Sequence, residues 1–531
     1  MKEKKKLKLK KFHFHPVTTI LVLIIFVVVM SGILSGLEMQ STYNVVNANT
    51  GELEPTLVTV ENLFNYDGMK YIFSNAARNF ISFAPLSMML IALIGVSVAE
   101  STGLITAVIK RHLSKFNKKT LTFLLIFVAT ISTLINEIGY VVLIPLGAML
   151  FLANNRNPLA GIVASFCGVA FGHGVTLFVG SSEVGLIPYT TSASRLIDET
   201  FHVSLTSNLF IIIITSILIS IVGTIIIEKI IVPRLGRYKE TKDLTSTQEI
   251  EIIDVEAEEQ TKIEEEKREK TGLRYALISG IVVILMFIYM IIPDLPASGM
   301  LLDMSEKTYL NQLFGSNSYF QDGFTFMMAL IFLIMGIAYG IGAKTVKNDK
   351  DIINGSSKCM ENIGQLIVII FFASQLIAIF KKTNIGTIIA AWSANFISGL
   401  SFSGIPLIVV VLIMIAIANL FLTTPTSKWA IFSPVVVPAL MQSNISPQFA
   451  QFILRAGDSM TNGITPLLAF FTIFVGYLNI YNLNKEKPIT IKEAIGMVMP
   501  YCLIISSFWI LLVIGWYLIG LPIGPGVFPT I

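Results

Sequence analysis

The chain of 531 residues carries a formal net charge of +4, and only 14% of its residues are charged whereas 54% are hydrophobic. Soluble domains contain about a quarter charged residues, so this scarcity of charge excludes an ordinary soluble protein. Apolar stretches of about 20 residues recur along the chain, the length at which an α-helix crosses a hydrocarbon layer of ~30 Å. Transmembrane β-strands would be shorter and would alternate in polarity. The composition therefore predicts an all-α polytopic membrane protein that contacts the lipid bilayer and has no nucleic-acid partner.

The predicted membrane crossings begin with the apolar run 17–37, which follows a lysine-rich terminus at 1–16. This run is longer than the apolar region of a signal peptide and lacks an obvious cleavage site after it, so we expect it to be retained. About nine full crossings and two re-entrant hairpins are predicted. The candidate spans, in chain order, are 17–37, 83–102, 119–135, 159–181, 205–232, 274–293, 322–343, 362–381 or a crowded stretch at 386–420, 459–480 and 497–520.

The predicted spans form two halves, 17–234 and 274–531, separated by a charged linker at 235–273. The acidic middle of this linker is typical of a solvated helix or of a disordered segment. Each half is predicted to hold a re-entrant hairpin followed by a broken helix. The hairpins are expected at about 119–158 and 403–443, and the broken helices at about 159–190 and 447–481.

The distribution of Lys and Arg predicts the orientation, because these residues concentrate in cytoplasmic loops. They cluster in the N-terminal segment 1–16, in the loop 110–119 and at both ends of the linker. The loops 38–78 and 294–322 contain few of them. We therefore expect a cytoplasmic N-terminus, a cytoplasmic linker and a C-terminus outside a bacterial-type plasma (inner) membrane.

Two segments rich in Pro, Gly and Ser, at 136–188 and 423–466, interrupt sequence that is otherwise apolar enough to lie in a membrane. Irregular backbone at membrane depth is tolerated only where protein or a water-filled cavity surrounds it. One such interruption in each half points to the substrate site of a transporter with an inverted repeat. Both run in the same order: a polar tip, a V-x-x-P segment, a turn containing Pro, and a glycine-broken helix. The residues predicted to break the backbone are Gly172, Gly174, Pro438, Pro447, Gly457 and Pro466.

Arg455 and Asp458 are the main candidates for chemistry, because they lie three residues apart in otherwise apolar sequence. Intramembrane charges are costly and usually face a cavity or a partner. A guanidinium fork suits a substrate carboxylate, and the aspartate suits a coupling cation or proton. The alternative is a structural ion pair between the two residues.

The tip of the second interruption contains Ser427, Lys428 and Trp429. A hydroxyl and opened backbone suit a carboxylate or an ion, and an indole suits an aromatic ring. Trp429 is alternatively an interfacial belt residue. For Lys428 we favour a side chain that reaches to the surface.

The first interruption contains Glu183, preceded by Ser181 and Ser182. Its carboxylate predicts either a cation or proton site or a water-exposed loop residue. Glu137, beside Asn136, presents the same two alternatives. His173 lies between two glycines and is interpreted as a core histidine rather than a ligand.

No HExxH, Walker A, GxSxG or paired CxxC motif occurs in the chain, and the three cysteines are widely spaced. These absences argue against a primary ATP-driven pump on a single chain, and we expect neither enzymatic activity nor a cofactor.

Several runs resemble the AbgT family of p-aminobenzoyl-glutamate transporters. In the first half these are 139–147 (GYVVLIPLG), 158–161 (PLAG) and 180–183 (GSSE). In the second half they are 427–430 (SKWA) and 455–459 (RAGDS), with prolines at Pro434, Pro438 and Pro466. The likeness in the order of spans and loops extends from about residue 12 to residue 520.

The resemblance implies a homodimer with nine spans and two re-entrant hairpins in each protomer, and a bowl open to the cytoplasm. It implies transport of p-aminobenzoyl-glutamate, an anionic aromatic substrate, and in some members export of sulfonamide-like drugs, driven by a proton or sodium gradient. The family's conserved positions carry over to Trp429, Pro447, Arg455, Asp458 and Pro466.

The chain departs from the family pattern at Thr426, Glu183 and Glu137, where the family has serine, aspartate and aspartate. The family's D-P-L-L stretch is E-V-G-L at 183–186, which puts the substrate preference in question.

We assign coupling to Glu183 and Asp458, with no firm metal site. A coupling sodium ion is expected near Ser182, Glu183, Thr426 and Asp458. We assign substrate binding to Ser181, Ser182, Thr426, Ser427, Trp429, Arg455 and Asn462.

Two other functions remain open at this point. One is an ion-coupled carrier of di- or tricarboxylates or short-chain acids, which would not require Trp429. The other is a membrane enzyme that uses Glu183 and Asp458 as a proton-transfer pair.

Overall fold

The computed structural model describes residues 14–46, 53–113, 115–134, 137–238, 255–315 and 317–531. Helices dominate this part of the chain, and many of them are apolar along most of their length. The prediction of an all-α polytopic membrane protein is confirmed. Most of the basic segment 1–16 and the linker residues 239–254 lie outside the described residues.

The helices are numbered in chain order. The first half contains α1 Pro16–Gly36, α2 Tyr66–Ile81, α3 Ala84–Ser101, α4 Leu104–Val108, α5 Lys118–Ile131, α6 Ile138–Ala153, α7 Pro158–Phe171, α8 Ser181–Ser194, α9 Leu209–Ile226 and α10 Val232–Leu235. The second half contains α11 Val255–Ile291, α12 Tyr309–Phe314, α13 Tyr319–Ala343, α14 Asp349–Met360, α15 Gly364–Lys382, α16 Ile385–Ser398, α17 Gly404–Asn419, α18 Pro425–Gln442, α19 Pro447–Thr461, α20 Phe471–Ile480 and α21 Ile491–Ile519.

Seven helical segments of the described residues are long and apolar enough to cross a membrane. They are Pro16–Gly36, Tyr66–Ser101, Leu209–Leu235, Ile263–Ile291, Tyr319–Ala343, Gly364–Lys382 and Ile491–Ile519. Three candidate spans have no counterpart among these segments: 119–135 corresponds to the shorter helix α5, and 159–181 and 459–480 are each interrupted. The total of nine therefore stays a prediction. Helix α11 continues without a break from the linker into its span.

Four shorter elements repeat in each half. Helices α5 and α6 form hairpin 1, and α7 and α8 form broken helix 1. Helices α17 and α18 form hairpin 2, and α19 and α20 form broken helix 2. Since a helix rises 1.5 Å per residue, a helix of about 15 residues is ~23 Å long and ends short of the far side of a ~30 Å layer. Almost every residue of α7 and of α19 is buried, so the core lies between the two broken helices.

The turns between hairpin and broken helix share one local chemistry in both halves. Asn155 and Asn444 adopt a left-handed conformation, with φ of 53° and 58°, which asparagine tolerates better than most residues. Each following helix begins with a proline at its first position, and a polar capping residue precedes that proline. The side chain of Asn157 accepts a hydrogen bond from the backbone N–H of Leu159 at 3.0 Å. The side chain of Ser446 accepts one from the backbone N–H of Phe449 at 3.3 Å. Capping residues and an N-terminal proline both favour a helix start.

These two turns lie at opposite ends of the same membrane helix. Asn157 Nδ2 donates to the carbonyl of Leu235, at the end of the 27-residue helical segment Leu209–Leu235, at 3.1 Å. Asn208 precedes the start of this segment, and its Nδ2 donates to the carbonyl of Gln448 at 3.0 Å. A helical segment of this length is ~40 Å long, so hairpins 1 and 2 enter from opposite sides, as an inverted repeat requires.

Two predicted breaks are wrong in position. Pro438 lies inside α18, which continues from Pro425 to Gln442, and Gly457 lies inside α19. A proline within a membrane helix removes one hydrogen bond but is tolerated where neighbouring protein surrounds it. Gly457 instead permits close packing, because a Cβ atom there would lie 2.7 Å from Cγ2 of Ile415 in α17.

The other break assignments fall at helix ends or interruptions. Gly172 caps α7, and Gly174 lies in the interruption of broken helix 1. Pro447 begins α19, and Pro466 lies between α19 and α20.

A β-hairpin occupies part of the loop 38–78, where the sequence predicted only an outside loop. Strands β1 Gln40–Val46 and β2 Leu53–Thr59 pair antiparallel, with Gln40 opposite Thr59 and Val46 opposite Leu53. Asn395 of α16 donates to the carbonyl of Thr42 at 2.9 Å. The hairpin therefore attaches to a helix that precedes hairpin 2.

We expect Gly457→Ala to destabilise the protein by about 1–3 kcal/mol, because the added methyl overpacks the contact between α19 and α17. Gly515→Ala is the matched control, since a Cβ at Gly515 in α21 meets nothing within 4 Å. Thermal denaturation in detergent compares the two variants. Equal melting temperatures for both would contradict the close packing at Gly457.

Candidate functional site

Arg455 lies in the middle of α19 and Asp458 in its last turn. Their side chains are only 3% and 2–3% exposed. Helix α19 is followed by the interruption that contains Asn462 and Pro466. Both charges are therefore held within protein, as their cost at membrane depth requires.

The carboxylate of Glu183 forms an ion pair with the guanidinium of Arg455. Glu183 lies in the first turn of α8, and its Oε2 accepts from the backbone N–H of Gly180 at 3.3 Å. A carboxylate is also stabilised there by the helix N-terminus. The interruption of broken helix 1 thus ends by presenting a buried carboxylate to the cation of broken helix 2.

Asp458 pairs with Lys428, not with Arg455 along the helix. The prediction that Lys428 reaches the surface is wrong, because its side chain is fully buried. Its ammonium also donates to Oδ1 of Asn419 at 2.6 Å. Lys428 lies in the first turn of α18 beside α17 and α19, where a nearby carboxylate compensates the loss of water.

Asn419 connects the charged pair to the backbone of α19. Its Nδ2 donates to the carbonyl of Asp458 at 2.9 Å and to Oγ1 of Thr461 at 3.3 Å. Asn419 is the last residue of α17, so hairpin 2 supplies groups from both of its arms. These hydrogen bonds orient both the lysine and the segment that carries Asp458.

Trp429 is fully buried, which does not fit the alternative of an interfacial belt residue. Its indole N–H donates to Oγ1 of Thr190 in α8 at 2.8 Å. The hydroxyl of Thr190 in turn donates to Oε1 of Gln451 at 2.6 Å. Gln451 precedes Arg455 by one turn of α19. A polar chain therefore connects α18, α8 and α19 beside the two ion pairs.

Several buried polar atoms near the interruptions have no hydrogen-bond partner among the described residues. They include Nη2 of Arg455, Oδ1 of Asn462 and Nδ1 of His173. Unsatisfied buried groups are uncommon and require an explanation. A guanidinium nitrogen without an acceptor is suited to a ligand carboxylate.

Gly174 brings the first interruption against α19. Its backbone N–H donates to Oγ of Ser459 at 2.8 Å. A Cβ atom at this position would lie 2.7 Å from the carbonyl oxygen of Arg455. The glycine is thus required for the close approach between the interruption of broken helix 1 and α19.

The hydroxyl residues assigned to substrate binding do not all face the ion pairs. Ser427 is exposed, whereas Ser181, Ser182 and Thr426 are half-buried. The methyl of Thr426 lies near Gly185 of α8, 3.1 Å from the position of an added Cβ. Thr426 therefore lies at the contact between hairpin 2 and broken helix 1.

The two carboxylates assigned to a shared sodium site are held by different cations, Glu183 by Arg455 and Asp458 by Lys428. In the described part of the chain, no group of three or more His, Cys, Asp or Glu residues is arranged to hold a metal ion. Glu137 is half-buried near the tip of hairpin 1, and its neighbour Asn136 lies outside the described residues.

Sequence reasoning missed Asn419, Thr190 and Gln451, and it misjudged Lys428. A signal was available for two of them, since Asn419 ends an apolar helix and Gln451 precedes Arg455 by one helical turn. Thr190 carried no such signal, because its role depends on which helix packs beside it.

The sequence profile of the AbgT transporter family matches residues 11–531. The p-aminobenzoyl-glutamate transport protein of Escherichia coli (strain K12) is 29% identical over 516 residues, which cover 97% of this chain and 94% of that protein. The relatives found by these comparisons are named as transporters.

Two solved structures are also similar to the chain. The Alcanivorax borkumensis YdaH transporter is 27% identical with a TM-score of 0.46, and the match covers 96% of this chain and 100% of the other. Neisseria gonorrhoeae MtrF, whose structure is described as illuminating a class of antimetabolite efflux pumps, is 30% identical with a TM-score of 0.48, and the match covers 98% of each chain. Because the family profile matches nearly the whole sequence, the resemblance is confirmed: the chain belongs to the AbgT family of transporters.

Proposed function

We propose that this protein is a secondary active transporter of p-aminobenzoyl-glutamate or a related aromatic carboxylate, coupled to a proton or sodium gradient. The proposal includes sulfonamide-like drugs as exported substrates, and it involves no enzymatic step. The observation that carries it is the buried pair of Arg455 and Glu183, which joins the two halves of the chain. Similarity to the E. coli p-aminobenzoyl-glutamate transport protein supports the choice of substrate.

Arg455 is the proposed substrate anchor. A guanidinium binds a carboxylate through two parallel hydrogen bonds, and Nη2 of Arg455 has no partner among the described residues. A substrate carboxylate that replaced Glu183 would keep the buried cation paired. Such an exchange avoids the large cost of leaving a charge uncompensated at membrane depth.

Glu183 is the proposed coupling residue. Once a substrate carboxylate occupies Arg455, the glutamate has lost its counter-charge and becomes costly to bury. A proton on Glu183, or a sodium ion beside it, removes this cost. The guanidinium of Arg455 thereby links substrate binding to binding of the coupling ion. The half-buried hydroxyls of Ser181 and Ser182 lie next to Glu183 in the chain.

Lys428 and Asp458 form the second neutral pair, and Asp458 is the second proposed coupling residue. Trp429 is the proposed partner of the substrate's aromatic ring. Its indole is fully buried in the described arrangement, so we assign this arrangement to a closed state. Opening would separate α18 from α8 and α19 and expose the ring together with Asn462 and Thr426, beside Ser427, which is already exposed.

The proposed setting is a bacterial plasma (inner) membrane, with the N-terminus in the cytoplasm and the C-terminus outside. The distribution of Lys and Arg supports this orientation. We also propose a homodimer, as the family resemblance implies.

We expect Arg455→Gln to weaken binding of p-aminobenzoyl-glutamate at least 100-fold, because it removes the charged fork. Arg195→Gln is the matched control, since Arg195 is exposed at the end of α8. Binding of labelled substrate to purified protein measures both.

The double variant Arg455→Gln/Glu183→Gln separates binding from folding. Removing one partner of a buried pair costs about 3–5 kcal/mol, whereas removing both charges leaves no unpaired ion. We therefore expect the double variant to recover thermal stability but not binding. Wild-type affinity in either Arg455 variant would refute the assignment.

Glu183→Gln tests coupling. We expect uptake into proteoliposomes to lose its dependence on the imposed proton or sodium gradient. The neutral amide needs no compensating ion when a substrate carboxylate binds to Arg455. Glu199→Gln is the control, because Glu199 is an exposed carboxylate outside the proposed site, and each gradient is imposed separately. Gradient stimulation equal to that of the wild type in the Glu183 variant would rule out the coupling role.

A substrate panel addresses the competing carrier function. Succinate, citrate and short-chain acids are offered as competitors of labelled p-aminobenzoyl-glutamate. We expect them to compete at least tenfold less well, because they lack the ring assigned to Trp429. Stronger competition by an aliphatic acid would favour the alternative carrier.

A further inference from the structure

A cavity of about 680 Å³ lies between the segment 104–112 and helix α11, away from the ion pairs described above. Its polar lining is basic, with Arg111, His112, Lys270 and Arg274, and none of the residues that line it is acidic. Its other walls are apolar. The cavity is therefore suited to a ligand that carries both an anionic group and apolar surface.

The positive charge of this cavity is only partly balanced. Lys270 pairs with Glu266 at 2.8 Å. Within the described part of the chain, neither Arg111 nor Arg274 has a carboxylate within ion-pair distance. Two guanidinium groups, which bind phosphate through paired hydrogen bonds, are thus available at one opening.

The cavity continues into apolar grooves. It shares Leu104, Val108 and Met335 with a groove of about 390 Å³, whose lining is apolar throughout. That groove shares Val128 and Leu143 with a further one of about 230 Å³, which reaches the tip of hairpin 1. The basic cavity and the two apolar grooves therefore adjoin one another along shared wall residues, and we call this series the path.

One face of α13 follows this path. Met335, Phe332, Met328 and Phe324 line it in turn, at spacings of three and four residues that place them on the same side of a helix. At 1.5 Å per residue, the distance from Met335 to Phe324 is ~16 Å, about half of a ~30 Å hydrocarbon layer. The path therefore has the depth of one leaflet.

We propose that this path binds one anionic phospholipid, with its phosphate on Arg111 and Arg274 and an acyl chain along α13 toward hairpin 1. Basic pockets between membrane helices on the cytoplasmic side bind anionic lipid headgroups, and the positive-charge distribution places this opening on that side. A soluble anion would occupy only the basic cavity, whereas a lipid would also fill the apolar grooves. The bound chain would contact both arms of hairpin 1, α5 and α6. This proposal is independent of which substrate is transported.

The first test measures the charge requirement. Purified, delipidated protein in detergent is titrated with phosphatidylglycerol and with phosphatidylcholine, and bound lipid is counted by native mass spectrometry. We expect phosphatidylglycerol to bind at least tenfold more tightly, and Arg111→Gln/Arg274→Gln to abolish this preference.

The matched control is Arg234→Gln/Lys487→Gln, which removes two cations from another cavity, of about 590 Å³. We expect this variant to keep the preference. An equal loss in both double variants indicates general charge attraction and overturns the proposal, as does a wild-type protein that does not distinguish the two lipids.

The second test measures the requirement for the acyl chain. Val128→Trp fills the point at which the two apolar grooves meet, and Val128 is 43% exposed, so the change is compatible with folding. We expect it to weaken phosphatidylglycerol binding at least tenfold, and glycerol phosphate not to compete with the lipid. Full competition by glycerol phosphate, or unchanged lipid binding in the variant, indicates a soluble-anion site and overturns the proposal.

Discussion

A charge buried at membrane depth needs an opposite charge beside it, and this requirement determines how the two halves of the chain meet. Arg455 and Asp458 are three residues apart on α19, yet each pairs with a residue of another element. Glu183 comes from the first half and Lys428 from hairpin 2. The four charges sum to zero, so this arrangement is electrically balanced. A movement that separates these elements must therefore supply replacement charges, and the proposed link between a substrate anion and a coupling ion rests on this requirement.

The two halves repeat the same elements but use them differently. Helix α18 contacts α8 through the hydrogen bond between Trp429 and Thr190. At the corresponding contact of the other half, α6 meets α20 through stacked rings of Tyr140 and Phe470, with centroids 5.0 Å apart. The polar contact lies beside the ion pairs, and the aromatic contact adds apolar burial. Hairpin 2 thus meets the broken helix of the other half through a hydrogen bond, whereas hairpin 1 meets its counterpart through aromatic rings and borders the apolar grooves assigned to a lipid chain.

Close backbone approach makes the balanced charges possible. Gly174 and Gly457 each admit another chain segment within a distance that a side chain would prevent. The first places the interruption of broken helix 1 against α19, and the second places α17 against the same helix. The same two helix contacts bring Glu183 to Arg455 and Asn419 to the carbonyl of Asp458. Small residues at such contacts are common between membrane helices, where close packing replaces the hydrophobic effect as the source of association.

Much of the architecture was accessible from sequence, because the membrane imposes simple rules. Apolar length predicted the spans, and the paired interruptions predicted two repeats of hairpin and broken helix. The turns were recognisable because proline and capping residues act locally. The β-hairpin in the loop 38–78 was missed, since its strands are short and half-exposed. The division into two halves and a linker stays a prediction, and the structure adds that α11 extends from the linker residue Val255 into the span.

The sequence by itself determined the family, the membrane-spanning class and the small set of intramembrane charges, because each depends on residue type and local order. Only the tertiary structure decided the partners of those charges. Lys428 was expected at the surface, and the pair of Arg455 and Asp458 was an open alternative, because spacing along one helix says nothing about what approaches it from another. Pairing is a matter of distance in space, and here the residues that meet are separated by up to 272 positions along the chain.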